Sequence, residues 1–73
     1  MKFYSVDRKL NKFSDYIRGE MKRQKMSQDE VAYRLGMAQG QFSRRLAGKI
    51  EWSMREVILL SEILNFSLGD WNE

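Results

Sequence analysis

Three short stretches of the chain share one pattern: an apolar residue precedes Ser, and an acid and a second apolar residue follow Ser by three and four positions. The copies are centred on Ser27, Ser53 and Ser67, with Asp70 in the third copy a looser fit than Glu. The pattern is typical of a capping box within a hydrophobic staple, which occurs at helix starts. It therefore predicts three helix N-termini in an all-α chain.

A fourth copy of this pattern has lost both of its polar groups. In Met37-Ala38-x-x-Gln41-Phe42, Ala replaces the capping Ser and Gln replaces the acid. The helix that begins here is predicted to lack a side-chain cap, so its first amides need water or a ligand. Chance loss of one cap, at a cost of about 1 kcal/mol, explains the change equally well.

The remaining helix boundaries follow from periodicity and from residues that favour a left-handed backbone. Apolar residues recur at steps of three and four along one stripe: Val6, Leu10, Phe13, Ile17 and Met21. Gly36, Gly48 and Asn65 mark helix ends. We predict one domain over residues 1–73 with five helices, at about 7–24, 28–35, 39–47, 54–64 and 68–72, in which residues 1–12 form a basic N-terminal arm and the start of the first helix.

Composition excludes several function classes. The 73 residues include no His and no Cys, and they show neither paired carboxylates at a useful spacing nor a Gly-rich phosphate loop. We therefore expect no enzyme, no metal site and no cofactor. No apolar run is long enough for a membrane span, and the polar start does not resemble a signal peptide. The expected location is the bacterial cytoplasm or nucleoid, with a phage origin one option.

Charge is distributed unevenly along the chain. Residues 1–26 carry eight Lys or Arg against three acids, whereas residues 53–73 carry Arg55 against four acids. This asymmetry favours a polyanionic partner for one face, although modest basicity is common in other proteins. A basic amphipathic membrane helix over residues 8–25 is a weaker alternative, because Asp15 and Glu20 interrupt it and its apolar stripe is needed for a core.

The two short helices at 28–35 and 39–47, joined by Gly36-Met37-Ala38, have the proportions of a helix-turn-helix. Ala32 falls where two such helices approach closely, and the apolar wedge between them is Val31, Leu35, Met37 and Phe42. The run SQDEVAYRLGMAQGQFSRRLAGK, followed by SMREVILLSEILNFSLGDW, resembles the phage-repressor and Cro type of helix-turn-helix domain, also called XRE-like. The resemblance covers about residues 13–71.

This resemblance implies a compact five-helix, lambda-repressor-like fold and a function in sequence-specific DNA binding, most simply as a transcriptional repressor. The helix at 39–47 would enter the major groove, usually in a homodimer on a near-palindromic operator. The resemblance and the helical wheel together predict base contacts by Gln39, Gly40, Gln41, Ser43 and Arg44, and phosphate contacts by Gln28, Ala38, Arg45 and Lys49.

Side-chain chemistry refines these roles. Arg44 suits guanine, and Gln39 or Gln41 suits adenine. Gly40 indicates a close approach of the backbone to DNA, a base position that is read through shape, or simply a tolerated Gly in the first turn. A solvated surface position is the plain alternative for Arg44.

Many relatives pair an Arg in the first helix with a Glu late in the helix that corresponds to 39–47. In this chain Met21 and Leu46 occupy the two positions, which predicts an apolar contact between them.

The helix at 54–64 has more apolar residues than one buried face needs. A dimer patch is predicted from Leu59, Ile63, Leu68 and Trp71. A helix buried on most sides is the alternative, and Phe3 and Tyr4 could instead cover this surface, or the basic arm could lie along DNA. The same surplus fits a second function, an antitoxin-like module that binds another protein.

Overall fold

Four α-helices make up the described part of the chain. The computed structural model describes the backbone of residues 2–69 and the side chains of residues 12–69. Its helices are α1 Lys2–Gln24, α2 Gln28–Leu35, α3 Gln39–Leu46 and α4 Met54–Ile63, and residues 2–69 contain no strand. The all-helical fold and the helix-turn-helix of α2 and α3 are thus confirmed.

The structure does not confirm the prediction at either end of the chain. Helix α1 begins at Lys2 rather than near residue 7, so residues 2–12 of the predicted basic arm belong to a helix. No acid marks its first turn, and no Gly or Pro interrupts it before Gly19, so the sequence carries no signal for the start. The predicted fifth helix is not confirmed: residues 68 and 69 form a turn, and residues 70–72 lie outside the described residues.

The helix starts follow the capping pattern. Ser53 Oγ accepts from the Glu56 amide at 3.1 Å, and Glu56 Oε1 accepts from the Ser53 amide at 3.0 Å, which completes a capping box. At α2, Ser27 Oγ accepts from the Glu30 amide at 3.1 Å, but the Glu30 carboxylate pairs with Arg34 instead. Ala38 begins α3 without a side-chain cap, as predicted. The acid of the third copy, Asp70, lies outside the described residues.

All four helices end at a residue with a left-handed backbone. Gly36 and Gly48 have φ values of 77° and 82°, and Asn65 has 58°, which confirms these three predicted ends. Lys25 ends α1 with φ 60°, although an L-residue other than Asn or Asp rarely adopts that conformation. The amide after each of these residues closes a hydrogen bond of 2.9–3.0 Å back onto its helix, as in the Schellman motif.

The core joins all four helices. Its buried residues are Phe13, Ile17, Met21, Val31, Ala32, Leu35, Phe42, Leu46, Leu60 and Leu64. Met21 and Leu46, predicted to pack together, are both members, at 6% and 3% exposure. Trp52 lies between two core rings, with its centroid 5.8 Å from those of Phe13 and Phe42 in edge-to-face contacts. This packing fixes α3 between α1 and the segment that leads into α4.

Polar contacts hold the far ends of the helices. Gln24 at the end of α1 donates from Nε2 to the Leu64 carbonyl at 2.7 Å, which satisfies an acceptor at the end of α4. Between α2 and α3, Ala32 is 1% exposed, in keeping with its predicted place at a close helix approach.

No helix within residues 2–69 is both long and apolar enough to cross a bilayer.

Candidate nucleic-acid interface

Helix α3 has an outward face that carries no acidic side chain. Phe42 and Leu46 are buried at 0% and 3% and define its inner side. With 3.6 residues per turn, Arg44 lies opposite them, flanked by Gly40 and Gln41, and all three are exposed. The predicted base-reading residues of this group therefore share one solvent-facing surface.

Arg44 and Lys49 supply free positive charge beside this surface. Both are exposed, and neither side chain forms an ion pair or a hydrogen bond with any residue in the described range 12–69. The Lys49 amide donates to the Arg44 carbonyl at 2.9 Å, which folds Lys49 back against the end of α3. Cations without an internal partner are available to phosphates or base edges.

The starts of α2 and α3 lie side by side. Gln39 donates from Nε2 to Gln28 Oε1 at 2.9 Å, so these two predicted contact residues are in direct contact. The bond leaves the oxygen of Gln39 and the nitrogen of Gln28 for other partners. The pair is thus able to offer one acceptor and one donor toward the same ligand. Ser43, the remaining predicted base contact, is half-buried at the edge of this face.

The first turn of α3 lacks compensation for the positive end of the helix dipole. Ala38 accepts from the amides of Gln41 and Phe42 through its carbonyl, at 3.0 and 3.1 Å, but provides no side-chain acceptor. No acid lies in this turn either. An anion near Ala38 would therefore be favoured by the dipole. That a DNA phosphate occupies this place stays a prediction.

Gly40 is the second residue of α3 and lies in its first turn. A Cβ atom added there would meet no atom within 4 Å. Packing within the protein therefore does not require Gly at this position. A close approach of the backbone to DNA, a base position read through shape and a tolerated first-turn Gly all stay predictions.

Arg45 forms a largely buried ion pair within the domain. Its Nε donates to Glu56 Oε1 at 2.9 Å, and the two side chains are only 16% and 14% exposed. Burial raises the pKa of Glu56, but the Ser53 amide and the Arg45 guanidinium lower it by more, so its net pKa lies below its ordinary value of 4.5. Glu56 is thus charged at neutral pH and pairs with Arg45. A phosphate contact by Arg45 stays a prediction.

Side chains from α1 and from the loop before α4 hold the C-terminal end of α3. Ser14 Oγ donates to the Arg45 carbonyl at 3.4 Å and accepts from Trp52 Nε1 at 3.1 Å. Arg18 donates from Nη2 to the Leu46 carbonyl at 2.8 Å. The Arg18 bond satisfies a carbonyl of the last turn, the Ser14 bond adds to the one that the Gly48 amide donates to the Arg45 carbonyl at 3.1 Å, and the Arg18 charge suits the negative end of the dipole. The outward face is therefore presented on a firmly anchored helix.

Comparison with known families decides the class of this fold. A family model described as helix-turn-helix matches residues 17–71, which contain α2, α3, α4 and the C-terminal part of α1. The chain belongs to the Cro/C1-type helix-turn-helix family. This family consists of DNA-binding regulatory domains that are typically not enzymes. No curated protein and no solved structure matches the chain.

The predicted dimer patch of this helix-turn-helix domain is only partly open. Leu59 and Ile63 are half-buried and pack against the domain's own core, whereas Leu68 is 43% exposed. Trp71 lies outside the described residues. The more exposed apolar residues of α4 are Met54 and Ile58, at 71% and 43%. Dimerisation through the predicted residues stays a prediction.

Sequence reasoning missed the residues that anchor α3. Ser14 and Trp52 were assigned to no polar contact, because nothing in their spacing indicates that residues 38 positions apart share a hydrogen bond. Many relatives carry an Arg at the position of Met21, and Arg18 lies one turn before it. This shifted positive charge was the only sequence signal for an anchor of α3. Glu56 was assigned to its capping box alone, since that role already explained an acid at this position.

Proposed function

We propose that the protein is a sequence-specific double-stranded DNA-binding transcriptional regulator, most simply a phage or bacterial repressor, whose helix α3 enters the major groove. The observation that carries this proposal is the outward face of α3. It has no acid, it centres on Arg44, which has no ion-pair or hydrogen-bond partner among the side chains of residues 12–69, and both ends of its helix are held by contacts with α1, α2 and α4. A rigid element that presents unpaired donors is suited to base reading.

The contacts divide into base reading and positioning. Arg44 suits the O6 and N7 atoms of guanine; Gln41 beside it, Ser43 at the edge of the face and Gln39 at the start of the helix suit neighbouring base edges. Gly40 lets the backbone approach the groove. Gln28 holds Gln39 and contacts a phosphate with its free nitrogen, a combination that their 2.9 Å hydrogen bond supports.

The remaining phosphate contacts surround this face. Lys49 and the uncapped amides at Ala38 favour phosphate oxygens at the two ends of α3, through its charge and the helix dipole respectively. Arg45 lies at the edge of the face, and its bond with Glu56 leaves it a secondary phosphate contact at most.

We further propose that the regulator binds its operator as a homodimer. Leu68 and the open edges of Leu59 and Ile63 would contribute, together with Trp71. The operator would then be a near-palindrome with half-site centres about 34 Å apart. Sedimentation of the protein over a concentration series, with and without duplex, should detect the dimer. A strict monomer in both conditions would exclude it.

Selection of duplexes from a random library at physiological salt tests the main proposal. We expect one enriched sequence, whose affinity falls steeply as salt rises. Arg44→Ala should relax base preference, whereas Lys49→Ala should weaken all duplexes alike and reduce the salt slope by about one. Arg34→Ala removes the same charge from an ion pair on α2 and should leave the preference unchanged. Equal binding of selected and random duplexes would overturn the proposal.

A second candidate function is binding to another protein on the same fold, as in an antitoxin. The exposed Met54 and Ile58 side chains on α4 favour it, because they lie one helical turn apart on one side. A partner that copurifies with the native chain, and is lost with Ile58→Glu, would support this function. The two functions are compatible in one protein.

A further inference from the structure

Glu56 joins two helices through a single carboxylate oxygen. Its Oε1 accepts from the Ser53 amide at 3.0 Å, which caps α4, and also from Arg45 Nε at 2.9 Å, which reaches α3. Both side chains of the ion pair are largely buried, at 14% for Glu56 and 16% for Arg45. A charged hydrogen bond in such a sheltered place is stronger and better ordered than a surface pair.

Arg45 extends this connection toward the outward face of α3. Its Nη1 donates to the Gln41 carbonyl at 3.1 Å and to the Gln41 side-chain oxygen Oε1 at 3.4 Å. Glu56, Arg45 and Gln41 therefore form a continuous chain of contacts. It runs from the start of α4 to the exposed side chain next to Arg44.

This chain of contacts has a chemical consequence for Gln41. An amide without a partner offers a donor and an acceptor, which match the N7 and N6 atoms of adenine. When a cation holds its oxygen, the amide turns its nitrogen outward and offers mainly donors. Donors match the N7 and O6 acceptors of guanine better than the mixed edge of adenine.

We propose that Glu56 is a positioning residue for base recognition: through Arg45 it holds the Gln41 oxygen, so that Gln41 reads a guanine rather than an adenine. This inference rests on the proposed DNA-binding function. It adds a determinant of sequence preference that lies in α4, away from the surface that contacts DNA.

The test compares base preferences of the full chain and its variants on a library of randomised duplexes. Gln41→Ala first identifies the base pair that Gln41 reads, as the position where preference is lost. At that base pair, Glu56→Gln should shift preference from guanine toward adenine by about threefold to tenfold, a part of what one bidentate contact contributes. Arg45→Met should give the same shift from the other side of the ion pair, and it leaves the α4 cap in place. Arg55→Met, which removes an equal charge from an exposed position on α4, is the matched control and should give no shift.

A double-variant cycle separates positioning from loosening of the fold. In the Gln41→Ala background, Glu56→Gln should cause no further change in base preference, because its route to DNA is already cut. A uniform loss of affinity at all positions, the same effect with and without Gln41, or an adenine preference in the unaltered chain would overturn the inference. If the unaltered chain selects no sequence at all, the proposed function fails instead, so the two failures are distinguishable.

Discussion

Leu46→Glu tests the packing that fixes α3 on the domain. Leu46 is 3% exposed and lies in the same core as Met21, so the substitution removes a buried apolar side chain and introduces a carboxyl group. Loss of the leucine costs about 2 kcal/mol. At pH 7 a buried carboxyl group without a cation in the core has a raised pKa, and a rise of roughly 2 to 3 units adds about 3 to 4 kcal/mol. The total of about 5 to 6 kcal/mol compares with an overall stability of about 4 to 11 kcal/mol expected for a chain of this length.

Urea denaturation followed by far-UV circular dichroism measures this loss. Leu46→Met conserves volume and should cost less than about 1.5 kcal/mol, so it is the control. Because the introduced group has a raised pKa in the folded state, its penalty should shrink as pH falls through that raised pKa, and below its unfolded pKa only the apolar part should remain. Adding Met21→Arg should restore some stability by giving the carboxylate a cation. A loss below about 1 kcal/mol for Leu46→Glu at pH 7 would refute the packing of Met21 with Leu46.

Three further changes probe the anchoring and the surface of α3. Ser14→Ala leaves Trp52 Nε1 without its partner, and we expect a loss of about 1 to 2 kcal/mol in urea denaturation; no loss would contradict the anchoring role. Because the pKa of Glu56 lies below 4.5, its carboxylate stabilises the fold above that pH, and the effect is lost as pH falls through the folded-state pKa. The free energy of unfolding should thus be about 1 to 2 kcal/mol higher for the unaltered chain than for Glu56→Gln at pH 7, and the two values should converge in acid. A difference that stays constant with pH would exclude this role of the charge. Gly40→Ala should leave the melting temperature equal or higher, since the added Cβ meets nothing within 4 Å, yet weaken binding to the selected duplex about tenfold or more if the backbone approaches DNA closely. Unchanged affinity in a mobility-shift titration would favour the tolerated first-turn Gly.

Local signals predicted the helices well, and they failed where contacts are distant in sequence. The Ser27 and Ser53 caps and the left-handed Gly36 and Gly48 are set by residues within one turn, so their patterns are visible in the sequence. The start of α1 carries no cap signal and was placed too late. Lys25 was missed as a helix end because side-chain type alone gives little reason to expect φ 60° there.

The candidate site shows the same division. The outward face of α3 follows from Phe42 and Leu46 alone, because a helix that buries these two residues must expose Arg44. In contrast, the Arg45 and Glu56 ion pair depends on how the loop after α3 brings α4 back, and no periodicity encodes that path. The carbonyl bound by Arg18 is likewise a backbone group that any residue would supply.

The ratio of affinities for a selected and a scrambled duplex tests the central claim most directly. The full chain is titrated against both duplexes at the same physiological salt, since affinities depend strongly on salt. If α3 reads base edges through Arg44 and its neighbours, the selected duplex should bind about a thousandfold or more tightly, and Arg44→Ala should reduce this ratio by about tenfold or more. Equal affinities for the two duplexes, or a ratio that Arg44→Ala leaves unchanged, would contradict the account.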